Sequence, residues 1–578
     1  MNLPVIPKHL QKYIVDHNYA RYTAIDQAVW RFIMRQLKSY LRHHAHPDYL
    51  LGLEETGISI EEIPRIENID KKLQKFGWRA IPISGFIPPT AFMELQSLHI
   101  LPIAADIRTI EHLTYTPAPD IVHEAAGHAP LLVVKEFRDY LEDYAEMAAK
   151  AVISQEDVEL YEVIRELSDL KEQAGIEAKI IEDCELRLEQ AVEKMTYHSE
   201  AALLTRMAWW TSEYGLIGSP EQPLIYGAGL LSSIGESYAC LEQNSRTKKI
   251  PFSLDCLNFS YDITEQQPQL FVTPDFATLR SELKKFSQTM CYQRGGLLSL
   301  EKIKQAGTVS TVELNSGIQI SGILNHIEVQ EKEAIYLNFT SACQLSYASQ
   351  ELAGQGKSNH PQGFGCPVGL LKNTRDCLSS WSIEKLEREG WIKGENISLE
   401  FASGVKVQGV LLDIVRMEEK NILVTFKDCK VLLGEKVLFE PAWGLYDMAV
   451  GSSIPSVFGG AADRDAYGDI KDFIVSRVQM KVLNSEDKKL EILYAEVRRM
   501  REKKQVLSAQ RLEEISQILQ KEYSQDWLLS LEILELSSKL PTSFLWVENI
   551  KKSLQKRAQE NKNLQQPILQ ALKNFNIP

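Results

Sequence analysis

Two histidines and a glutamate fall within six residues, at His123-Glu124-Ala-Ala-Gly127-His128. Imidazole and carboxylate groups at this density point first to a metal. The pattern is close to the H-E-x-x-H of zinc proteases, whose histidines sit one α-helical turn apart on one face. Here the spacing is five residues instead of four. At about 100° per residue, a regular helix would set the two rings roughly 140° apart. They converge only where the helix ends or distorts between them. Gly127 permits such a break and Pro130 disfavours a regular continuation. His128 is therefore expected at the end of a helical turn, aimed inward by irregular backbone. With a carboxylate from elsewhere, two histidines on one side of a metal leave the opposite positions open, as in non-haem iron(II) oxygenases that must admit dioxygen. No cysteine lies nearby, which disfavours a structural zinc site. Spacing alone keeps iron and zinc both in play, beside a chance pair of histidines on a polar helix.

The elements that must hold these residues show in the hydrophobic texture. Residues 1–300 read as mostly helical, with apolar residues at i, i+3, i+4, as in the stripe from Asp26 and again over 140–149. Short β-branched runs then take over at 308–314, 318–324, 334–339, 397–401, 405–415 and 421–426. Ser316-Gly317 and Ser403-Gly404 are hairpin-turn signals between such runs. After about residue 463 the pattern is helical again, amphipathic and charged over 487–501 and 509–519. The expected organisation is a mainly α region at 1–300, a β-rich module at 305–455 and a helical C-terminal region at 456–578. The Gly-rich stretch 354–369 matches no phosphate-cradling pattern and reads as an ordinary loop. The polar run from Asp463 to Asp469 reads as a loop or helix cap rather than a cation site.

A chain of 578 residues exceeds one core and calls for two to four domains. With 44% hydrophobic and 25% charged residues, most of it should fold. The net charge of −14 argues against nucleic acid or an anionic membrane as the general partner. No apolar run approaches the ~20 residues of a membrane span, and no basic-then-apolar leader opens the chain. The eight cysteines are scattered without a C-x-x-C pair, which fits free thiols in the cytoplasm.

Three strings carry a resemblance. Pro119-Asp120-x-x-His123-Glu124-x-x-Gly127-His128-x-Pro130-Leu131-Leu132 matches the metal motif of the pterin-dependent aromatic amino acid hydroxylases. Trp209-Trp-Thr-Ser-Glu213-Tyr-Gly-Leu216 resembles the segment that supplies that family's carboxylate ligand, and Tyr226-Gly-Ala-Gly-Leu-Leu-Ser232-Ser-Ile-Gly-Glu236 its substrate-side loop. The resemblance spans about residues 20–290. It implies the mainly α aromatic amino acid hydroxylase fold for residues 1–300, and a monooxygenase that uses Fe(II), a tetrahydropterin and dioxygen to hydroxylate an aromatic ring. Iron would be held by His123, His128 and Glu213. Phe92 and Ile87 would contact the pterin, and Glu124 would help to position it for oxygen activation. Arg108 would bind the substrate carboxylate, a task that suits a planar bidentate fork. Thr116 and Ser232 would help to hold the amino-acid end, while Pro119, Trp209 and Tyr214 would wall the ring. Tyrosine hydroxylases carry an acidic residue where this chain has Ile263, and the segment from Tyr22 to Trp30 resembles bacterial phenylalanine 4-hydroxylases. Phenylalanine is the expected substrate, with tryptophan and tyrosine as alternatives.

The chain departs from that family in three places. Only about 20 residues precede the catalytic region, so allosteric activation through an N-terminal regulatory domain is not expected. His128 and Glu213 stand 85 positions apart, about twice the family separation. The excess reads as an inserted antiparallel helix pair at about 154–194, with Gly175 near its turn and its two ends close together. The region beyond 305 has no counterpart, and it could support homo-oligomers or regulation. Two readings from other classes stand beside the hydroxylase: a zinc hydrolase with Glu124 as general base, and a binding or assembly protein carrying a vestigial enzyme.

Overall fold

The structure, a computed structural model, describes residues 6–85, 87–113, 119–172, 176–242, 246–261, 266–468, 485–540 and 544–574. Its longest helix, Ala24–His44, starts at a capping box. Thr23 accepts from the Asp26 N–H and Asp26 returns the bond, satisfying two N-terminal donors. Trp30, Ile33, Met34 and Leu37 along it are fully buried. The same apolar core takes in residues of the helices Tyr49–Glu55, Lys135–Ala148 and Glu200–Ala208, of a parallel strand pair (Arg79–Ile83 with Ile100–Ala104) and of a four-stranded sheet containing Leu216–Ser219. Among the described residues no helix is long and apolar enough to cross a membrane.

The charged insertion forms two helices, Gln155–Glu172 and Ala178–Lys194. Arg187 pairs with Glu166 and Lys171 with Glu185, which fixes them antiparallel. At the base, the Thr196 N–H and hydroxyl donate to Glu156, so the chain leaves and re-enters at one point. Gly175, expected near the turn, lies outside the described residues.

Every β-branched run named above becomes a strand. Ser310–Glu313 and Ile318–Gly322 form a hairpin whose turn uses Gly317 at φ 97°. Val405–Met417 and Lys420–Leu433 make a long hairpin in a second five-stranded sheet. One boundary needs correction. Ser456–Gly459, placed by the sequence in the helical C-terminal region, is a strand pairing antiparallel with Ser310–Glu313. Four residues bounded by glycine and proline are too short for a periodic signal, and only the partner strand defines them.

The C-terminal helices do not stand apart. Ser485–Arg501, Ala509–Glu522, Leu528–Ser537 and Leu545–Glu560 share one continuous apolar core with the first 290 residues. Phe32 meets Trp527 edge to face at 5.1 Å. Beside this contact, Arg31 donates two bonds to Glu532, at 3.0 and 2.8 Å. Arg501 reaches Glu532 and Glu535, and Arg35 reaches Glu535 and Glu61. The side chains of Arg31, Glu532 and Arg501 are 2%, 4% and 6% exposed. Glu532→Ala would leave two buried guanidinium groups short of a counter-charge. It is expected to destabilise the protein by about 3–5 kcal/mol, read as a lower midpoint in urea unfolding, whereas a conventional surface pair would cost about 1 kcal/mol or less.

Candidate active site

The first two site histidines lie in a widened turn. Val122–His128 is a π-helix, followed directly by the 3-10 turn Ala129–Val133 that holds Pro130. Where bonds run i→i+5, residues five apart sit on successive turns of one face. The spacing that separates the rings on an α-helix therefore aligns His123 and His128 here. Gly127 contributes by its missing side chain rather than by a left-handed backbone, because a Cβ there would lie 2.6 Å from the Ala228 carbonyl oxygen. Tyr49 donates its hydroxyl to the Ala126 carbonyl at 3.0 Å, and so serves a backbone acceptor within the turn.

The third group arrives in the same manner. Trp209–Glu213 is a second π-turn, closed by the Tyr214 N–H donating to the Trp209 carbonyl at 2.9 Å. Thr211 holds it from below, accepting from the Tyr140 hydroxyl at 2.8 Å and donating to the Met207 carbonyl. The loop at Tyr226 packs directly on its end. A Cβ on Gly227 would stand 2.4 Å from the Glu213 carbonyl oxygen, so only glycine fits.

These two turns bring His123, His128 and Glu213 together. His123 Nε2 and His128 Nε2 are 3.2 Å apart, and each is 3.2 Å from one oxygen of Glu213. Donors bonded to one metal at about 2.1 Å and near right angles lie about 3.0 Å apart. Hydrogen bonding fixes which ring nitrogens carry protons. Ser232 donates its hydroxyl to the Ala228 carbonyl at 2.7 Å, so towards His123 Nδ1, at 3.2 Å, it accepts. His123 then carries its proton on Nδ1 and turns a bare Nε2 towards Glu213. A lone pair facing a carboxylate and a second imidazole calls for a cation between them, and the donor set fits a metal of the iron or zinc type. Burial opposes ionisation of Glu213, but His128 and His123 outweigh it and hold the carboxyl well below its usual range.

Glu124 lies behind the triad, 3.9 Å from His128 Nε2. It is buried, its Oε2 has no hydrogen-bond partner, and burial pushes its carboxyl up to about 8. A buried oxygen aimed at the site without a partner is suited to a polar ligand. The Phe92 ring centre is 6.4 Å from that of His128, and Ile87 belongs to the same small apolar cluster as Phe92.

Arg108 is buried and held as a fork. Its Nε and Nη2 donate to the two oxygens of Asp120 at 2.8 and 2.7 Å, and Nη1 donates to the Ser232 carbonyl at 3.1 Å. Asp120 also accepts from the His123 N–H at 3.0 Å. Burial would raise the Asp120 carboxyl, but Arg108 holds it below its usual range. In the sequence Asp120 is marked only as part of a motif and as a residue type that caps helix starts, and here its carboxylate takes the His123 N–H. Trp209 stacks between Tyr214, at 4.6 Å, and Tyr261, at 4.4 Å. Tyr261 was not anticipated, because nothing local marks it. Pro119 is half-buried next to Asp120. Thr116 and Ile263 lie outside the described residues.

Loss of the Ser232 hydroxyl would release the His123 tautomer. Ser232→Ala is expected to weaken metal binding about 10- to 100-fold, measurable by chelator competition, while an unchanged affinity would mean that the His123 contact does not orient the ring.

Three donors on one side of a metal are the mark of mononuclear non-haem iron oxygenases. The family profile described as biopterin-dependent aromatic amino acid hydroxylase matches residues 11–162 and 196–327, passing over 163–195 within the inserted helix pair. A phenylalanine-4-hydroxylase of Pseudomonas aeruginosa is 30% identical over 266 residues, covering 46% of this chain and 84% of the relative. One of Chromobacterium violaceum is 28% identical over 275 residues, covering 46% and 78%. The crystal structure of Chromobacterium violaceum phenylalanine hydroxylase with bound oxidised Fe(III) is 26% identical, covers 47% of this chain and 83% of that one, and superposes with a TM-score of 0.38. The chain belongs to the biopterin-dependent aromatic amino acid hydroxylases, enzymes that work with iron and a tetrahydropterin.

Proposed function

We propose that this chain converts L-phenylalanine to L-tyrosine, with His123, His128 and Glu213 as its iron ligands. The observation that carries the reading is the mutual 3.2 Å approach of the three ligand groups, with one histidine tautomer fixed by Ser232. Bound iron and tetrahydropterin together supply the activation of dioxygen from which one oxygen atom enters the ring. The chain's own residues bind and orient. Phe92 offers its ring to the pterin, with Ile87 of the same apolar cluster as a second contact. Glu124 contributes a buried carboxylate oxygen without a hydrogen-bond partner, suited to accept a hydrogen bond from the pterin. Arg108 has five N–H donors, of which Asp120 and Ser232 take three among the described residues, leaving two for the substrate carboxylate. Trp209 and Tyr214, locked by stacking, with Pro119, wall the aromatic ring, and Thr116 and Ser232 attend the amino-acid end.

The choice of phenylalanine is supported by the names of the matched relatives and by the apolar Ile263. We further assign residues 1–300 to catalysis, with the inserted helix pair at its edge. The β-rich module, taken to residue 459, and the C-terminal helices brace it. All eight cysteines are free, as suits a cytoplasmic enzyme. The test is a comparison of kcat/KM for phenylalanine, tyrosine and tryptophan with iron-loaded protein and tetrahydrobiopterin. Phenylalanine should be preferred, and a preference for either other amino acid would reject the assigned substrate.

A further inference from the structure

The short helix Arg464–Tyr467 follows the last strand of the β-rich module, and its residues divide by direction. Asp463 and Tyr467 face back into the module. Asp463 caps the helix by accepting from the Ala466 N–H at 3.1 Å, and it accepts from the Glu351 N–H at 2.9 Å. The Tyr467 hydroxyl donates to the Ala342 carbonyl at 2.9 Å. Arg464 and Asp465 face the catalytic region. Arg464 donates through Nη1 to Glu94 Oε2 and through Nη2 to the Ala149 carbonyl at 2.7 Å, where the helix Lys135–Ala148 ends. His9 joins the two carboxylates. Its Nε2 is 2.8 Å from Glu94 Oε1, and its Nδ1 is 2.6 Å from Asp465 Oδ1.

Glu94 lies on the helix Pro89–Ser97, two residues after Phe92. That helix packs through Ala91 and Leu95 on a small apolar cluster with Leu10, Tyr13, Ile83, Ile87 and Ile100, while its Met93 reaches the main core. Apolar packing alone lets a helix slide and rotate on its bed, and a directional polar tether to a neighbour fixes its position. Arg464 and Glu94 keep 26% and 16% of their side-chain surface, so this pair is largely desolvated.

We propose that Arg464 is a positioning residue for the pterin: anchored in the β-rich module, it grips Glu94 and thereby sets the helix that presents Phe92. This rests on the reading of Phe92 as the pterin-contacting ring. It gives the β-rich module a role in the reaction, since the cofactor wall is tied to a residue the module holds in place.

Steady-state kinetics of the iron-loaded full chain tests it. Arg464→Ala is expected to raise the KM for tetrahydrobiopterin about fivefold, with iron stoichiometry retained and the KM for the amino acid within about twofold of the parent. Arg464→Lys, which keeps a cation at Glu94, should recover most of the loss. A raised pterin KM in Phe92→Ala together with an unchanged one in Arg464→Ala would overturn the clamp alone. An unchanged pterin KM in Phe92→Ala would overturn the pterin assignment and the clamp with it. Parallel rises in both KM values, or loss of iron, would mean general loosening and would also refute the proposal. Should Arg464→Ala fail to fold, Glu94→Gln weakens the same pair from the opposite side and carries the same expectations.

Discussion

His128→Ala is expected to leave the protein without stoichiometric iron and without measurable hydroxylation. Loss of a residue that only orients a ligand costs about 10- to 100-fold in metal affinity, and removal of a ligand should exceed that. The geometry makes the effect severe at this position. His128 is 4% exposed and faces both His123 and Glu213 at 3.2 Å. Its removal leaves two donors, one of them a carboxylate with a single imidazole beside it. Folding should persist, because the π-turn is held by Tyr49 and by the packing of Gly127 on Ala228 rather than by the ring itself. Metal analysis with unfolding as a control reads this result. Stoichiometric iron retained in His128→Ala would remove His128 from the ligand set.

Arg108→Ala is expected to act twice. The amino-acid KM should rise by about thirtyfold or more, the effect of losing about 2 kcal/mol or more from a hydrogen-bonded charge contact. Stability should fall by about 3–5 kcal/mol, because Asp120 is left buried without its partner. The family resemblance makes Arg108 a substrate fork, with no link to the iron ligands. The structure joins the two, since Asp120 binds both Arg108 and the His123 N–H. Some loss of iron affinity should therefore accompany the change. Arg108→Lys separates the effects, since it keeps a charge near Asp120 and cannot form the fork. An unchanged amino-acid KM in both variants would contradict the assigned role.

The sequence made the strands legible because β-branched runs with Ser-Gly turns carry their own period and their own stop signals. It also made the site histidines legible, because their spacing is wrong for an α-helix and their flanking string is distinctive. The backbone answer to that spacing was not legible. A π-turn has no composition of its own, and what stabilises this one comes from Tyr49, 77 positions away. The C-terminal helices show the same limit. Glu532 and Arg31 are 501 positions apart, and each reads locally as a solvated charge on an amphipathic helix. Only docking buries them. For that reason residues 1–300 expressed alone would expose Phe32 and leave Arg31 without Glu532, so inactivity of that piece would say nothing about where the chemistry occurs.

The most direct measurement is hydroxylation of phenylalanine by the iron-loaded full chain with tetrahydrobiopterin under isotopically labelled dioxygen, followed by mass spectrometry of the product. Expected is tyrosine carrying one labelled oxygen, formed only when iron and the pterin are both present. No hydroxylated product from phenylalanine, tyrosine or tryptophan, or a product whose new oxygen comes from water, would contradict the assignment of His123, His128 and Glu213 to a dioxygen-activating iron centre.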